Sequence, residues 1–409
     1  MTRGVSMGLS TVRHLKQQVE SELRSNILDF WCKYTPDNEN GGFYGYISAD
    51  HNTDPRADKA SVLNARILWT FSAACRFYNE NKYRDMAARA YEYIRDHFIN
   101  REHMGVYWML DYKGAPKDTK NQVYANAFTV YALSEYYRAF RDSAALELAI
   151  SLYESLERNA KDMRYGGYLE ALACDWSPLA DMSLSSRDMN VPKSMNTHLH
   201  MLEAYTNLYR VWKSDQLRES LGTLLENVME HIVDSITWSF RLFFEMDWTP
   251  CANITSYGHD IEGSWLIHEA AEVLGNRALL ERAEEVAVNM AEHVLQNGTD
   301  RTYGGIFNEM YDSKLDDNKD WWPQAEAVAG FFNAWQLTGK GAFLDEALNT
   351  WRFIDKYIAD RENGEWHWGV TRDGSRITGT DKVSPWKCPY HNSRMCFEII
   401  RRVAGYEDR

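Results

Sequence analysis

The stretch SYGHDIEGSW, Ser256 to Trp265, places a histidine, an aspartate and a glutamate within four positions behind a Tyr-Gly break. His259 and Glu262 stand at i and i+3, so on a helix they share a face, where a carboxylate can orient an imidazole and fix its tautomer. Asp260 reads as a first-turn acid that complements the helix dipole. His391 follows Cys388-Pro389-Tyr390. Proline suits a first helical turn, and the positive helix end favours the neutral ring that a general base requires. Asn196 and His200, at i and i+4, share a face that His198 does not. His-x-His on a helix sets its rings about 200° apart. That is unlike the i, i+4 pair of a metalloprotease, and no other cluster completes a coordination shell, so no metal is expected. Arg66, inside the apolar string LNARILW, faces either a structural carboxylate or a pocket where it would stabilise an oxyanion. Trp321, Trp322 and Trp386 offer flat surfaces on which a sugar ring can stack.

These residues need elements to bring them together, and the chain has a repeat that does so. Six segments join a glycine or turn signal to alternating aromatic residues: NGGFYGYIS from Asn40, HMGVYWMLDYKG from His103, RYGGYLEALACDW from Arg164, WSFRLFFEMDW from Trp238, TYGGIFNEMYD from Thr302 and NGEWHWGVTRDG from Asn363. Each reads as a short β excursion. Between them lie amphipathic helices such as AALELAISLYESLERNA and NRALLERAEEVAVNMAEHVL, with one charged face. A second helix set, including KASVLNARILWTFSAACRFY and NQVYANAFTVYALSEYYRAF, is more apolar and reads as buried. Six units of inner helix, outer helix and β loop predict an all-α chain, an (α/α)6 barrel with six short β excursions in the loops, as one catalytic domain over residues 1–409. The N-terminal ends of the inner helices then ring one mouth. Arg66, Tyr124 and Asn126, Asn196, His198 and His200, His259 and Glu262, Trp321, Trp322 and Glu326, and Trp386, His391 and Arg394 recur in register with the repeat.

Composition narrows the ligand. A net charge of −14 disfavours nucleic acid and anionic membranes. The apolar runs are short and broken by charge, so no membrane span is expected, and the start reads as a polar tail entering an amphipathic pattern, without a signal peptide. Six scattered cysteines without Cys-x-x-Cys suit reduced thiols in a cytoplasm. The 15 Trp and 24 Tyr suit sugar faces, although large helical cores use aromatics too.

Several histidines, an arginine and tryptophans, without a nucleotide loop, metal set or serine elbow, suit proton shuttling at a carbon beside a carbonyl. One neutral histidine removes the C2 proton and a protonated one returns a proton on the opposite face. The cis-enediolate between them needs positioned donors, and the inversion requires no cofactor.

The blocks NARILWTFSAA, MNTHLHMLEAYTNLYRVW, GHDIEGSWLIHEAAE, WWPQAEA and WKCPYHNSRMCFEI resemble the cellobiose 2-epimerases of the N-acylglucosamine 2-epimerase superfamily, across nearly the whole chain. The resemblance implies an (α/α)6 barrel that interconverts glucose and mannose at the reducing end of β-1,4-linked disaccharides. It makes His259 and His391 the acid/base pair, with Arg66 and His200 at the C1 and C2 oxygens and one histidine assisting ring opening. It sets Asn196 on a sugar hydroxyl, Glu262 orienting His259, Trp322 and Trp386 stacking, and Tyr124 along the floor. A mannose 2-epimerase acting on free mannose and glucose carries the same blocks and would differ in the loop from Ala173 to Lys193. A glycoside hydrolase on the same barrel would have to draft Asp320, Glu262 or Glu326 as its carboxylate pair and leave the histidines idle. The expected partner is a small sugar alone, for a monomer or weak homodimer.

Overall fold

The computed structural model describes residues 2–186 and 188–407. Helices take up the repeat in antiparallel pairs: α1 (Thr2–Glu22), α2 (Asp29–Tyr34), α3 (Ser61–Tyr78), α4 (Asn81–Tyr93), α5 (Val123–Phe140), α6 (Ser143–Asn159), α7 (Met195–Val211), α8 (Asp215–Asn227), α9 (Tyr257–Leu274), α10 (Arg277–Asn297), α11 (Trp321–Thr338), α12 (Gly341–Phe353) and α13 (Tyr390–Glu407). The expected polar tail is helical from Thr2. Apolar residues cover almost every side of the inner helices. In α3 every residue from Ser61 to Cys75 is buried. The outer helices bury one stripe, as α10 does through Ala283, Val286, Ala287, Met290, Ala291 and Val294. Most inner helices end in a left-handed residue, namely Asn79, Arg141, Gly275 or Gly339, which turns the chain within a few residues into the next outer helix.

The six inner helices close a ring. α3 packs on α5, α5 on α7, α7 on α9, α9 on α11, α11 on α13, and α13 returns to α3. α4, α6, α8, α10 and α12 each cover the inner helix that precedes them, and α1 covers α13. This is the (α/α)6 barrel that the repeat predicts. Among the described residues no helix is long and apolar enough to cross a membrane.

The β excursions do more than the repeat suggests. Each outer helix runs into a hairpin whose turn opens on Asp37, Asn100, Asp162, Asp234, Asp300 or Asp360. In every case that side chain accepts the N–H groups two and three residues on. Buried Lys59, Lys193, Lys319 and Lys382 reach back to four of these aspartates and to a glycine carbonyl of the same turn. Short antiparallel ladders then join neighbouring units: 59–60 to 109–110, 121–122 to 171–172, 193–194 to 243–244, 254–256 to 309–311, and 319–320 to 369–370. The pairing of 47–48 with 381–383 closes this second ring. The start of each of α3, α5, α7, α9 and α11 is thereby pinned to the next unit, and those starts carry most of the mouth residues.

Candidate active site

Ser256 occupies the cap position before α9, where a serine ordinarily bonds the backbone N–H three residues on. Here its hydroxyl makes no cap bond; it lies 2.8 Å from Nδ1 of His259. Of the two residues between them, Gly258 is required by close approach, because a Cβ there would stand 2.6 Å from the ring of Trp322. Trp322, in the first turn of α11, packs against His259 at 4.6 Å between ring centroids and against His391 at 5.5 Å. The indole therefore touches both histidines.

His391, in the first turn of α13, is held by Glu326: its Nδ1 lies 2.7 Å from Oε1. His200 is held the same way by Glu203, at 3.0 Å. A carboxylate acceptor requires the proton on Nδ1, so Nε2 of these two rings carries the lone pair. Nε2 of His200, His259 and His391 has no bond to any described residue. Burial drives His259 down to about 3; neighbouring His200 and Arg66 reinforce the shift and Glu326 opposes it. Burial, then Arg66, Arg394 and His200, hold His391 well below its ordinary value. His200 is also lowered by burial, against the pull of Glu203. All three rings are neutral at neutral pH.

Behind them lies a buried charge cluster. Arg394 donates to Glu203, to Glu262 at 2.5 Å and to Glu326 at 2.7 Å, and the Tyr390 hydroxyl also donates to Glu203. One guanidinium cannot neutralise three carboxylates, and their environments push them apart. Burial would raise Glu203, but Arg394 and His200 outweigh it and bring it to about 2. Burial and then the charge of Glu326 raise Glu262 to about 8, against Arg394, so it is protonated at neutral pH. Glu262, Glu326 and His391 offer ligand atoms within 4.8 Å of one another. The cation between those carboxylates is Arg394 itself.

Arg66 points its guanidinium at the Tyr124 hydroxyl, 2.8 Å away, and at Sγ of Cys388, 3.7 Å away. The rings of Phe128 and Tyr390 flank it at 4.3 and 5.0 Å. No described carboxylate pairs with it, so of the two readings left open for Arg66 the structural carboxylate falls. Tyr124 also packs edge-on to His200 and Trp386, at 5.1 and 6.1 Å, and Trp386 meets Trp108 at 6.1 Å. Asn196, in the first turn of α7, is half-buried and its Oδ1 has no protein partner.

The ring contacts and hydrogen bonds link Arg66, Tyr124, His200, Trp386 and Trp108 in one chain, and His259, Trp322 and His391 in another; the Glu203–Arg394–Glu326 cluster joins the two. Glu262 is a correction. It does not orient His259; Ser256 does. Glu262 is fully buried, bonds Arg394 and lies 3.8 Å from Nδ1 of His391. Spacing of i, i+3 sets a shared face but not which helix across the barrel captures the carboxylate. Asp260 is likewise structural, although not as a dipole partner: its Oδ1 accepts the Phe240 N–H of a hairpin at 2.7 Å. His198 points away from the site, accepting the Tyr168 N–H. The sequence reading missed Ser256, Glu203 and the roles of Glu326 and Arg394. The signal for three of these was present: Glu203 follows His200 by three residues, Arg394 follows His391 by three, and Glu326 follows Trp322 by four.

A barrel whose mouth holds three neutral histidines, a buried arginine and indole faces, with Glu203, Glu262 and Glu326 gathered behind them on Arg394, is the site of a proton-transferring sugar enzyme. The profile of the N-acylglucosamine 2-epimerase (GlcNAc 2-epimerase) family matches residues 42–394, and the chain belongs to that family of carbohydrate epimerases. It is 45% identical over 388 residues to a cellobiose 2-epimerase of Bacteroides fragilis, covering 94% of this chain and 98% of that one. The solved cellobiose 2-epimerase of Bacillus thermoamylovorans superposes with a TM-score of 0.92 at 37% identity, over 95% of this chain and all of that one. A D-mannose isomerase structure shares the fold with a TM-score of 0.82 at 20% identity, over 94% and 98% of the two chains.

Proposed function

We propose that this epimerase inverts C2 of the reducing-end glucose or mannose of β-1,4-linked disaccharides such as cellobiose, lactose and mannobiose. The observation that carries the mechanism is the pair His259 and His391, both neutral, both in contact with Trp322 and both tied at Nδ1 with Nε2 free. After ring opening, with one of the histidines assisting, one imidazole takes the C2 proton at Nε2 and becomes charged; the other, carrying a proton on Nε2, gives it to the opposite face, and exchange with solvent returns both rings to their starting state. The two tethers differ. A carboxylate only accepts, so His391 keeps its proton on Nδ1. A serine hydroxyl both donates and accepts, so His259 can present Nε2 as a base or as N–H.

Arg66 and His200 hold O1 and O2 of the enediolate, Asn196 binds a sugar hydroxyl, Trp322 and Trp386 stack on the rings, and Tyr124 lines the floor. Glu262 acts behind this surface, on Arg394. The disaccharide reading rests on the relatives at 37% and 45% identity. The same reading takes residues 1–409 as one catalytic unit without cofactor or metal, cytoplasmic, and a monomer or weak homodimer.

The test is proton NMR in D₂O with cellobiose and mannose in separate tubes. Deuterium at C2 of cellobiose, with a glucosylmannose product, is the expected result. Exchange in the mannose tube alone would make it a monosaccharide epimerase, and glucose released from cellobiose would make it a hydrolase. No exchange in either tube would end the two-histidine mechanism.

A further inference from the structure

A buried guanidinium is ordinarily paired with a carboxylate, because an isolated charge away from water is expensive. Arg66 is only 3% exposed and has no such pair. Its bonds go to a neutral phenol and a thiol, its Nε has no partner, and the ring faces of Phe128 and Tyr390 carry no net charge. The carboxylates nearest the site, Glu203, Glu262 and Glu326, are all bound by Arg394 instead. The other ionisable groups around the mouth, His200, His259 and His391, are neutral. The sugar end of the pocket therefore presents a guanidinium with no described carboxylate in direct contact, while the acids behind it are occupied by Arg394.

We infer that this pocket is a receptor for aldonates, the open-chain sugar acids with a carboxylate at C1, and binds them more tightly than neutral sugars of the same shape. The inference rests on the epimerase reading, in which Arg66 meets the oxygens at C1 and C2. An aldonate carries from the start, on the two oxygens of C1, the single negative charge that the neutral substrate acquires only as the enediolate forms across O1 and O2. It carries no C1 aldehyde and so cannot proceed. Disaccharide acids made by oxidation at C1 are then natural inhibitors, and the reactions that produce them would throttle this enzyme.

The test is calorimetric titration at low chloride of the full chain with cellobionate, with its uncharged C1 amide and with cellobiitol. The acid is expected to bind about tenfold or more tightly than either neutral ligand, the increment of one charge-assisted hydrogen bond. In Arg66→Gln that preference should vanish, the acid binding no more tightly than its amide. The comparison of acid with amide needs only the wild-type chain, so the inference stays testable if the variant does not fold. Amide or alditol binding as tightly as the acid would overturn the inference and leave the epimerase standing. Failure of all three ligands to bind, together with no deuterium exchange, would overturn both.

Discussion

His198 ties a separable share of the fold's acid stability to one ring. It is fully buried in α7, with Nδ1 2.7 Å from the Ser194 carbonyl and Nε2 accepting the Tyr168 N–H at 2.9 Å. A carbonyl partner demands the proton on Nδ1, and an N–H partner demands a lone pair on Nε2. Only the neutral ring satisfies both, and protonation would set two N–H groups against each other. Burial lowers its pKa to about 4, although the Ser194 carbonyl favours the charged ring; Lys193 and His231 add to the lowering. In the unfolded chain the value is about 6.5. Between those values the unfolded state takes up a proton that the native state refuses, so stability is intact above pH 6.5 and falls as pH drops through the window. At about pH 5 the loss is roughly 1.5 units at about 1.4 kcal/mol each, or about 2 kcal/mol. Urea unfolding at about pH 7.5 and about pH 5 measures it in the wild type and in His198→Gln, whose amide oxygen accepts the same N–H without titrating. The variant should lose about 2 kcal/mol less between the two pH values. His367 and His259, also lowered, to about 4 and about 3, act equally in both chains and cancel. Equal losses in the two proteins would refute the argument.

Three further outcomes are expected. His259→Ala and His391→Ala should each abolish epimerisation with the fold retained by circular dichroism; more than about a tenth of wild-type turnover in either would break the two-histidine assignment, since such steps contribute roughly 10²–10⁴-fold. Ser256→Ala removes the tether of His259 but no helix cap, so kcat should drop roughly tenfold, the worth of one hydrogen bond, while the melting temperature barely moves; an unchanged kcat would show that the ring is held otherwise. Turnover should survive exhaustive chelation and dialysis, because Arg394 lies between the carboxylates that offer ligand atoms; loss of activity restored by a divalent cation would contradict this.

The barrel was legible because its repeat is written in local signals. Glycine turns, apolar periodicity and polar helix starts return in register, and positions in register must share a mouth. The β ring was only half legible. The hairpins show as turn signals, whereas the ion pairs beneath them join the two ends of a long interhelical loop, as Lys193 with Asp162 and Lys319 with Asp300 do. A lysine in sequence reads as solvated, and only the closed barrel shows these to be among its most buried side chains. The site divides the same way. His259, His391, His200 and Trp322 follow from register alone. The partner of Glu262 does not, since it depends on which residue of α13 reaches across the barrel.

The placement of the carboxylates decides the chemistry. A glycosidase needs two of them flanking the scissile bond with sugar between them. Here Glu262 and Glu326 share a single nitrogen of Arg394, at 2.5 and 2.7 Å, and are almost entirely buried. What lies between them is a guanidinium, and no glycosidic oxygen can reach that position. Asp320, the remaining candidate, sits at the cap position of α11. Glu326, Glu203 and Glu262 stand behind the histidines, one fixing Nδ1 of His391, one fixing Nδ1 of His200 and one holding a proton beside Arg394. That arrangement sets the tautomers of the rings in front of it and keeps a store of protons next to them. It is useful for moving a proton on and off carbon and useless for cleaving a sugar.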